Sequence, residues 1–494
     1  GIVCSNYGKI VDCVNKGTIS GSGSLAGIVV ESNGGDSVIN CRNEATIRGT
    51  GGYIGGVVAT VNTSDKPSVY IDCYNTASIS GKEVVGGFVG MARVGVEFNG
   101  CYNTGDVTGD GSSVGGFVGH AYSSSTNNGT GLAINCYNSG QVSNTNKYTG
   151  GFAGETGYKF NFVNCHNSGY VISNSYGVGG FAGNLLGGAT NCYNTGEVES
   201  DGYGVGGFAG LLRNAVVNGC FNVGNVTSNS TITDGSHGNA GGLSGEGYGK
   251  VSDSFNMGNV VAQAYAAGLL GMANSSSTTI SRCYNTGSIT VAQDGTAGAI
   301  QVPGKRYKAT LDSVFFDSET CTGLTDDEAK PLTTVELTKA DLGSGFATIA
   351  AAYPLPKAFE ANDTALAYAA AYALADGETS QHIKSKFSVI TPEGLKWTSS
   401  SNLYVAGPVV STSATGTATL TKTIGSWTRT FKLNVDAVSG IDDTNVATKT
   451  VASRTYFTVA GVQIATPANG EIVIERITYT DGTSATRKTI YRSK

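Results

Sequence analysis

A seven-residue phrase, Cys-Tyr-Asn-Thr-Gly-Asp-Val at residues 101–107, recurs throughout residues 1–304 of this chain. Its first position is Cys at residues 13, 41, 73, 101, 136, 165, 192, 220 and 283, and Ser at residue 254. Asn stands two residues later in all ten copies, and the seventh position is always Val or Ile. A period of about 30 residues means that each unit buries its apolar side against its neighbours, so the chain is predicted to be a repeat protein.

A second phrase, Gly-Gly-Phe-Val-Gly at residues 86–90, alternates strictly with the first. From the Cys position to the second glycine of the next such phrase there are 14 or 15 residues in nine of ten cases. The return distance varies from 12 to 20 residues, and its longest member contains a polar run at residues 123–128. Because insertions concentrate in surface loops, the constant interval indicates the structurally fixed part of each repeat.

The amino-acid composition indicates which fold class the repeat belongs to. Gly accounts for 73 of 494 residues, Pro for 8, and charged residues for only 14%. Each repeat contains short alternating segments separated by Gly and Asn, and no apolar pattern at helical spacing. We therefore predict an all-β protein in which residues 1–304 form a parallel β-helix. This β-solenoid is expected to be right-handed, with about ten coils of three strands each.

Equivalent residues of a parallel β-helix stack in columns about 4.8 Å apart along the axis. We expect the Cys and Asn positions to form buried structural ladders, represented by Cys101, Cys136, Cys165, Cys192, Asn103, Asn138, Asn167 and Asn194. Each Asn is expected to bond to the turn backbone of the next coil. The glycine two residues after it is expected to adopt a left-handed turn.

Eleven cysteines in a secreted chain ordinarily suggest disulfides. Side chains stacked about 4.8 Å apart are, however, farther apart than the roughly 3.8 Å Cβ separation of a disulfide, so we predict free thiols. No Cys pair has the spacing of a zinc site, and the four histidines are isolated, so no metal is predicted. The glycine phrases lack the Lys-Ser/Thr and the helix of a phosphate loop, so no cofactor is expected.

Aromatic residues fill the second position of the seven-residue phrase. We expect Tyr74, Tyr102, Tyr137, Tyr193 and Tyr284 to share one outward-facing row. The favoured interpretation is structural, because aromatic side chains on neighbouring strands stabilise the pairing. The alternative is a glycan-binding surface.

Enzymatic activity would need two or three acidic or basic side chains clustered on successive coils. The outward position before the closing Val or Ile contains only two acids, Asp106 and Glu197, which lie three coils apart. At roughly 14 Å they are too distant to flank one glycosidic bond. We therefore predict no catalytic residue. A polysaccharide lyase or glycoside hydrolase with a site in the loops at 122–130 or 228–238 is the remaining enzymatic alternative.

The formal net charge is −6, and Lys and Arg are scattered without runs, so no nucleic-acid partner is expected. No stretch approaches the roughly 18 apolar residues of a membrane span. Residue 1 falls inside a repeat, which suggests that a signal segment and earlier repeats precede it. A monomer is expected.

The alternation of Gly-Gly-Phe-Val-Gly with Cys-Tyr-Asn-Thr-Gly-x-Val resembles the GLUG repeat of bacterial surface proteins and adhesins. The resemblance covers residues 1–304. Residues 305–356, with Phe315-Phe316-Asp317 and Tyr353-Pro354, are similar to the closing cap that follows such arrays.

Two further segments carry resemblances of their own. Residues 357–437, with Trp397-Thr398-Ser399-Ser400 and a Gly-Thr-Ala-Thr-Leu run from Gly416, resemble a bacterial Ig-like β-sandwich, although Leu366 to Leu374 could form a short helix. Residues 438–494, with Tyr456-Phe457 and a hairpin at Asp481-Gly482, are similar to C-terminal sorting segments. Together these resemblances imply a non-catalytic, extracellular adhesin-like protein on the bacterial cell surface, which binds a host protein, a matrix protein or a glycan.

Overall fold

The computed structural model describes residues 1–62, 66–123, 129–232, 239–292, 294–375, 377–384, 386–412, 415–436, 451–458, 462–480 and 484–491. The chain is 52% strand and 3% helix, and a parallel β-solenoid of about 10 turns makes up its first part. The predicted all-β class and parallel β-helix are therefore confirmed. Within the described residues, no helix has both the length and the apolar character needed to cross a membrane.

Each coil contributes short strands to five parallel ladders that run along the axis, and ladders one to three merge into a single sheet. Ladder one comprises Val3–Asn6, Val29–Ser32, Val58–Val61, Val89–Arg93, Val118–Tyr122, Ala153–Thr156, Ala182–Leu185 and Leu270–Ala273. Ladder two comprises Lys9–Val11, Ser37–Ile39, Ser68–Ile71, Val96–Asn99, Gly131–Ile134, Phe160–Val163 and Gly188–Thr190. Two long strands, Ala209–Asn218 and Ser244–Ser252, pass through both ladders.

Ladder three contains the Tyr-Asn part of the seven-residue phrase. It comprises Val14–Asn15, Arg42–Asn43, Tyr74–Asn75, Tyr102–Asn103, Tyr137–Asn138, His166–Asn167, Tyr193–Asn194, Phe221–Asn222, Phe255–Asn256 and Lys330–Leu332. Thr279–Asn285 and Thr310–Asp317 span ladders two and three.

Ladders four and five contain ten strands each. Ladder four comprises Ile19–Gly21, Ile47–Gly49, Ile79–Gly81, Val107–Gly109, Val142–Asn144, Val171–Ser173, Val198–Ser200, Val226–Ser228, Val260–Ala262 and Ile289–Val291. Ladder five comprises Leu25–Ala26, Tyr53–Gly55, Val84–Gly86, Ser113–Gly115, Thr149–Gly150, Val178–Gly179, Val205–Gly206, Asn239–Gly241, Tyr265–Ala267 and Thr296–Gly298.

The prediction of three strands per coil was wrong. Most coils have five short strands, because turns separate ladder one from ladder two and ladder two from ladder three. The residue before each Cys position has a positive φ, between 50° and 64°, as in Asp72, Gly100 and Asn135. Asn, Asp and Gly are the residues that adopt this left-handed conformation most readily. The signal was visible in the sequence, since this position is Asn, Asp or Gly in the first nine copies.

The glycine of the seven-residue phrase has a different role from the predicted left-handed turn. Gly105 is not among the residues of positive φ. A Cβ added to it would lie 2.0 Å from the carbonyl oxygen of Ala77 on the preceding coil. Close approach of neighbouring coils therefore explains this glycine, and Ala45 and Ala77 show that the smallest side chain can be accommodated with a local shift.

The interior of the solenoid is filled by columns of identical side chains. Phe88, Phe117, Phe152, Phe181 and Phe208 stack face to face with ring centroids 4.7 to 4.9 Å apart. The Cys column lies in the same apolar cluster, between ladders two and three. Each coil therefore contributes the same core residues, and the core grows along the axis without closing into a globule.

A cap covers the last coils of ladder three. It consists of helix α1 (Thr334–Thr338), the antiparallel pair Phe346–Ala347 and Leu355–Pro356, the 3₁₀ helix Lys357–Phe359 and helix α2 (Asp363–Ala369). Thr333 caps α1 by accepting a hydrogen bond from the backbone N–H of Glu336, whose carboxylate accepts one from Thr333 N–H in return. Residues of the cap share one apolar cluster with Phe221 and Phe255.

Two small antiparallel sheets follow the cap. One contains Tyr372–Ala373, Lys386–Val389, Val409–Ser411 and Tyr404–Ala406, and the other contains Lys396–Ser399, Gly416–Ile424 and Trp427–Val435. They share one apolar core that includes Phe387, Trp397 and Phe431. The predicted strands are present, and the short helix alternative at 366–374 corresponds to α2 followed by the first strand. The Ig-like assignment remains a prediction.

The last described part is one antiparallel sheet. Its strands are Gln463–Ile464, Val451–Phe457, Ile472–Tyr479 and Ser484–Ile490, in that spatial order. The turn at Asp481-Gly482 lies outside the described residues, but the two strands beside it pair as the predicted hairpin requires.

Candidate ligand-binding surfaces

The thiol column is buried. Cys101, Cys136, Cys165 and Cys192 are all 0% exposed, and every cysteine of the chain is a free thiol. The thiols of Cys136 and Cys192 each donate to the carbonyl oxygen two residues earlier, at 3.2 and 3.4 Å. Burial raises the pKa of both. The side chains of Cys136 and Cys192 are therefore neutral, and all four side chains fill the core and are not accessible to a ligand.

The Asn column forms a continuous chain of side-chain hydrogen bonds. Asn103 Nδ2 donates to Asn138 Oδ1 at 2.7 Å, and Asn138 Nδ2 donates to Asn167 Oδ1 at 2.8 Å. The same pattern joins Asn167 to Asn194 and continues along ladder three. Each Nδ2 also bonds within its own turn, as from Asn138 to Gly140 O at 2.7 Å. The predicted bond to the next coil's backbone was wrong, because the next Asn side chain accepts it instead.

The aromatic row is stacked face to face. Ring centroids are 4.7 Å apart for Tyr74 and Tyr102, 4.8 Å for Tyr102 and Tyr137, and 4.6 Å for His166 and Tyr193. Each ring face is therefore covered by its neighbours, and the row presents ring edges and hydroxyl groups to solvent. Sugar rings bind to aromatic faces, so this geometry favours the structural interpretation over glycan stacking.

The C-terminal end of the row is covered by the cap. Tyr284 is 0% exposed, and its hydroxyl donates to Pro354 O at 2.6 Å. Phe359 packs edge-on against Tyr193 and Phe221. The prediction that Tyr284 belongs to an exposed binding row was therefore wrong, because apolar cap residues bury this part of ladder three.

His166 replaces tyrosine in the middle of the row. Its ring stacks against Tyr137, with centroids 5.1 Å apart, and against Tyr193. Burial lowers the pKa of His166 to about 4. The imidazole is therefore neutral near pH 7 and acts as one more aromatic ring.

A recessed column of side chains runs along the outside of ladder one. Its members directly follow the last glycine of each glycine phrase and pair in register from coil to coil. They are Met91, His120, Glu155, Asn184, Leu211, Glu246 and Met272. They alternate with core residues such as Ala121, so they point away from the core. Asn184, Leu211 and Glu246 are nevertheless only 3%, 5% and 7% exposed. The column is therefore the floor of a groove, called here the ladder-one groove.

A histidine and a glutamate meet on this floor. His120 Nε2 lies 3.9 Å from Glu155 Oε2, which also accepts from Ser113 Oγ at 3.3 Å. Asn184 Nδ2 donates to Glu155 Oε1 at 3.1 Å. Burial and the nearby Arg93 lower the pKa of His120, against the opposite effect of Glu155. The floor thus combines a neutral imidazole with a carboxylate held by two donors.

Two glycines lie beside Leu211, at the base of a cavity in the groove. Gly177 and Gly204 precede the ladder-five strands at the position where the preceding coil has Tyr148. Added Cβ atoms would lie 2.9 Å from Tyr148 Cδ1 and 2.9 Å from Leu211 Cδ2, respectively. Leu211, which an added Cβ on either glycine would approach, lines a cavity of about 250 Å³. Its lining includes Tyr176, Tyr203, Leu212, Arg213, Glu246 and Tyr248.

A larger cleft of about 630 Å³ lies between the cap and the two small sheets. Beside it, Asp317 accepts hydrogen bonds from Thr334 Oγ1 and Tyr353 OH, each at 2.7 Å, and pairs with Arg429 Nη2 at 3.1 Å. Lys422 Nζ donates to Tyr368 O at 2.8 Å, and burial lowers the pKa of Lys422. These groups bond to one another across the boundary, so they act as a joint between the cap and the sheets.

Metal binding finds no support in the described part of the chain, where no group of three or more His, Cys, Asp or Glu side chains is placed to hold an ion. Most of the loops at 122–130 and 228–238, which the enzymatic alternative requires, lies outside the described residues. Sequence reasoning missed the ladder-one groove, although its floor residues always follow the last glycine of the phrase. Comparison with protein-family models, curated proteins and solved structures finds no match for this chain.

Proposed function

We propose that this chain is a non-catalytic, adhesin-like protein of the bacterial cell surface, in which a rigid β-solenoid binds a host, matrix or glycan ligand. The observation that carries the proposal is the parallel stacking of about ten coils, with an asparagine ladder that runs from Asn15 to Asn285. At about 4.8 Å per coil the solenoid is roughly 50 Å long. A rod of this kind presents one continuous surface for binding and holds it away from its attachment.

The joint at the C-terminal end of the solenoid supports the same role. Arg429 of the second small sheet is bonded to Asp317 of the final coil, and Trp427 packs edge-on against Tyr368 of helix α2. The sheets are therefore held firmly against the capped solenoid. A firm joint transmits the orientation of the rod to whatever follows it.

The spacing of carboxylates favours binding over catalysis. Asp106 and Glu197 lie three coils apart on the strand edge of ladder four, and Glu155 and Glu246 lie three coils apart on ladder one. At roughly 14 Å, neither pair matches the separation of about 5 to 9.5 Å that glycoside hydrolysis uses. The proposed function therefore assigns no catalytic residue.

The buried thiols are compatible with an extracellular address. Nine of the eleven cysteines are buried, so oxidants outside the cell would not reach them. The resemblance of the tail to sorting segments points to the same location, which labelling of intact bacteria with antibodies against the solenoid would test.

Binding and catalysis can be tested on one preparation. The purified chain is applied to immobilised matrix proteins and to a glycan array, and in parallel it is incubated with a polysaccharide panel while reducing ends are measured. Saturable binding to at least one surface without release of reducing ends is expected. Release of reducing ends above that of the heat-denatured chain would overturn the non-catalytic assignment, and absence of binding to both surfaces would overturn the adhesin-like role.

A further inference from the structure

We propose that the ladder-one groove binds a linear, uncharged oligosaccharide, with one sugar unit in the cavity beside Leu211. This inference rests on the proposed ligand-binding function and names the site and the class of ligand.

The shape of the groove fits an extended chain. Its floor consists of one side chain per coil, at intervals of about 4.8 Å, which is comparable with the length of one sugar unit along an extended polysaccharide. The cavity of about 250 Å³ is slightly smaller than typical pockets for drug-sized ligands, which begin at roughly 300 Å³. It therefore suits one ring of a longer ligand, whose neighbouring rings would lie along the floor.

The cavity walls have the mixed character that sugars require. Tyr176 and Tyr203 stack on each other on one side, with centroids 5.1 Å apart, so the faces between them are covered. Tyr248 lies on the lining with Arg213 and provides the aromatic contact. Aromatic rings contact the apolar faces of sugars, while guanidinium groups and carboxylates bond to hydroxyls. Leu211 adds an apolar base.

The floor offers hydrogen-bond acceptors. Glu155 is held in place by Asn184 Nδ2 and Ser113 Oγ, and Glu246 lies in the cavity lining. The second amide atom of Asn184, Oδ1, is buried and accepts no hydrogen bond. If the amide of Asn184 were turned around, Oδ1 would face the Glu155 carboxylate and two acceptors would be in contact. The orientation with Nδ2 towards Glu155 is therefore the favourable one. A buried acceptor without a donor is uncommon, and a hydroxyl group of a ligand would satisfy it.

The charges on the floor select against acidic sugars. A uronic acid carboxylate in the groove would approach Glu155 and Glu246, and like charges at short range oppose binding. Hydroxyl groups, which donate to carboxylates, have no such penalty. The chemistry therefore indicates a neutral chain, such as one built from hexoses or N-acetylhexosamines.

The test measures binding of linear pentasaccharides by titration calorimetry. The panel contains oligomers of β-linked glucose, mannose, xylose and N-acetylglucosamine, with oligogalacturonate as the acidic member. The test variant is Gly204→Asn, because Asn accepts a positive φ and its Cβ, 2.9 Å from Leu211 Cδ2, would displace Leu211, which lines the cavity. Gly35→Asn is the matched control, since Gly35 also has a positive φ, of 69°, and lies outside the groove. Arg213→Ala provides a second variant at an exposed position.

We expect the unmodified chain to bind at least one neutral pentasaccharide and not the acidic one. Gly204→Asn and Arg213→Ala should each weaken that binding by about tenfold or more, while Gly35→Asn leaves it unchanged. If Gly204→Asn alters the melting temperature, Arg213→Ala decides the result.

Binding that both groove variants leave unchanged would overturn the groove assignment while the adhesin-like function stands. The groove assignment would also be overturned if the chain preferred the acidic oligomer, or if it bound a matrix protein and none of the pentasaccharides. Release of reducing ends from the bound oligomer would instead overturn the non-catalytic function, with the location of the site still decided by the two variants.

Discussion

Replacing Asn138 by Ala tests whether the asparagine ladder stabilises the solenoid. Asn138 lies in the middle of a chain of side-chain hydrogen bonds that begins at Asn15 and ends where Asn285 Nδ2 meets Cys321 Sγ at 3.2 Å. Asn138 itself is 0% exposed, so every bond that it makes is shielded from water.

The magnitude follows from the bonds that are lost. Asn138→Ala removes the two bonds donated by Nδ2, to Gly140 O and Asn167 Oδ1, and the one accepted from Asn103 Nδ2. Each such bond contributes about 1 kcal/mol net, and each buried group left without a partner costs about 1 to 3 kcal/mol. Because Gly140 O and one hydrogen of Asn103 Nδ2 lose their partner and the bond to Asn167 Oδ1 is also lost, the free energy of unfolding should fall by about 3 to 7 kcal/mol.

Asn15→Ala is the matched control. Asn15 makes one short bond, from Nδ2 to Asn43 Oδ1 at 2.7 Å, and its side chain is only partly buried. Its replacement should cost about 1 kcal/mol. Both variants are unfolded in urea and followed by circular dichroism. Hydrogen exchange then locates the change, since a solenoid is stabilised by nearest-neighbour contacts and the loss should centre on the coils next to residue 138. Equal midpoints for the two variants would refute the reasoning.

Three further predictions concern pH, glycine packing and thiol access. His166 has a pKa of about 4 in the fold, against an ordinary value of 6.5, so the unfolded chain takes up the proton first on acidification. Stability should therefore fall by up to about 3 kcal/mol between pH 6.5 and pH 4, and urea midpoints of His166→Tyr should lack that part of the pH dependence. Gly151→Ala should lower the melting temperature, because the added Cβ would lie 2.1 Å from Gly180 O. Gly8→Ala is the control and should leave the melting temperature unchanged, since no atom lies within 4 Å of its added Cβ. Equal melting temperatures for the two variants would contradict the packing argument. In native buffer a thiol reagent should modify the exposed Cys4 rapidly. The nine buried cysteines should react only after denaturant is added. Rapid modification of all eleven cysteines in native buffer would show that the core column is accessible.

The sequence predicted correctly those features that depend only on the stacking of equivalent residues from coil to coil. The positions of Cys101 and Asn103 on the inside follow from the repeat, because equivalent residues of stacked coils occupy one column. The number of strands per coil did not follow. It depends on the positive φ of residues such as Asp72 and Asn135, whose type was visible but whose turn was not recognised.

The ladder-one groove shows the same division. The sequence marks Glu155 and Glu246 as equivalent positions, yet nothing in the local pattern indicates that they are recessed. Their burial arises because ladder five lies beside ladder one, as the hydrogen bond from Ser113 of ladder five to Glu155 illustrates.

The sequence by itself determined that this protein is a stack of β coils in which equivalent repeat positions form columns. It could do so because backbone hydrogen bonding between coils imposes a constant rise, and a constant rise converts a sequence period into spatial alignment. Only the tertiary structure decided where each column is covered. Tyr284 meets Pro354 across 70 residues and Arg429 meets Asp317 across 112. Contacts between segments so far apart depend on how the chain folds back, which no local periodicity records.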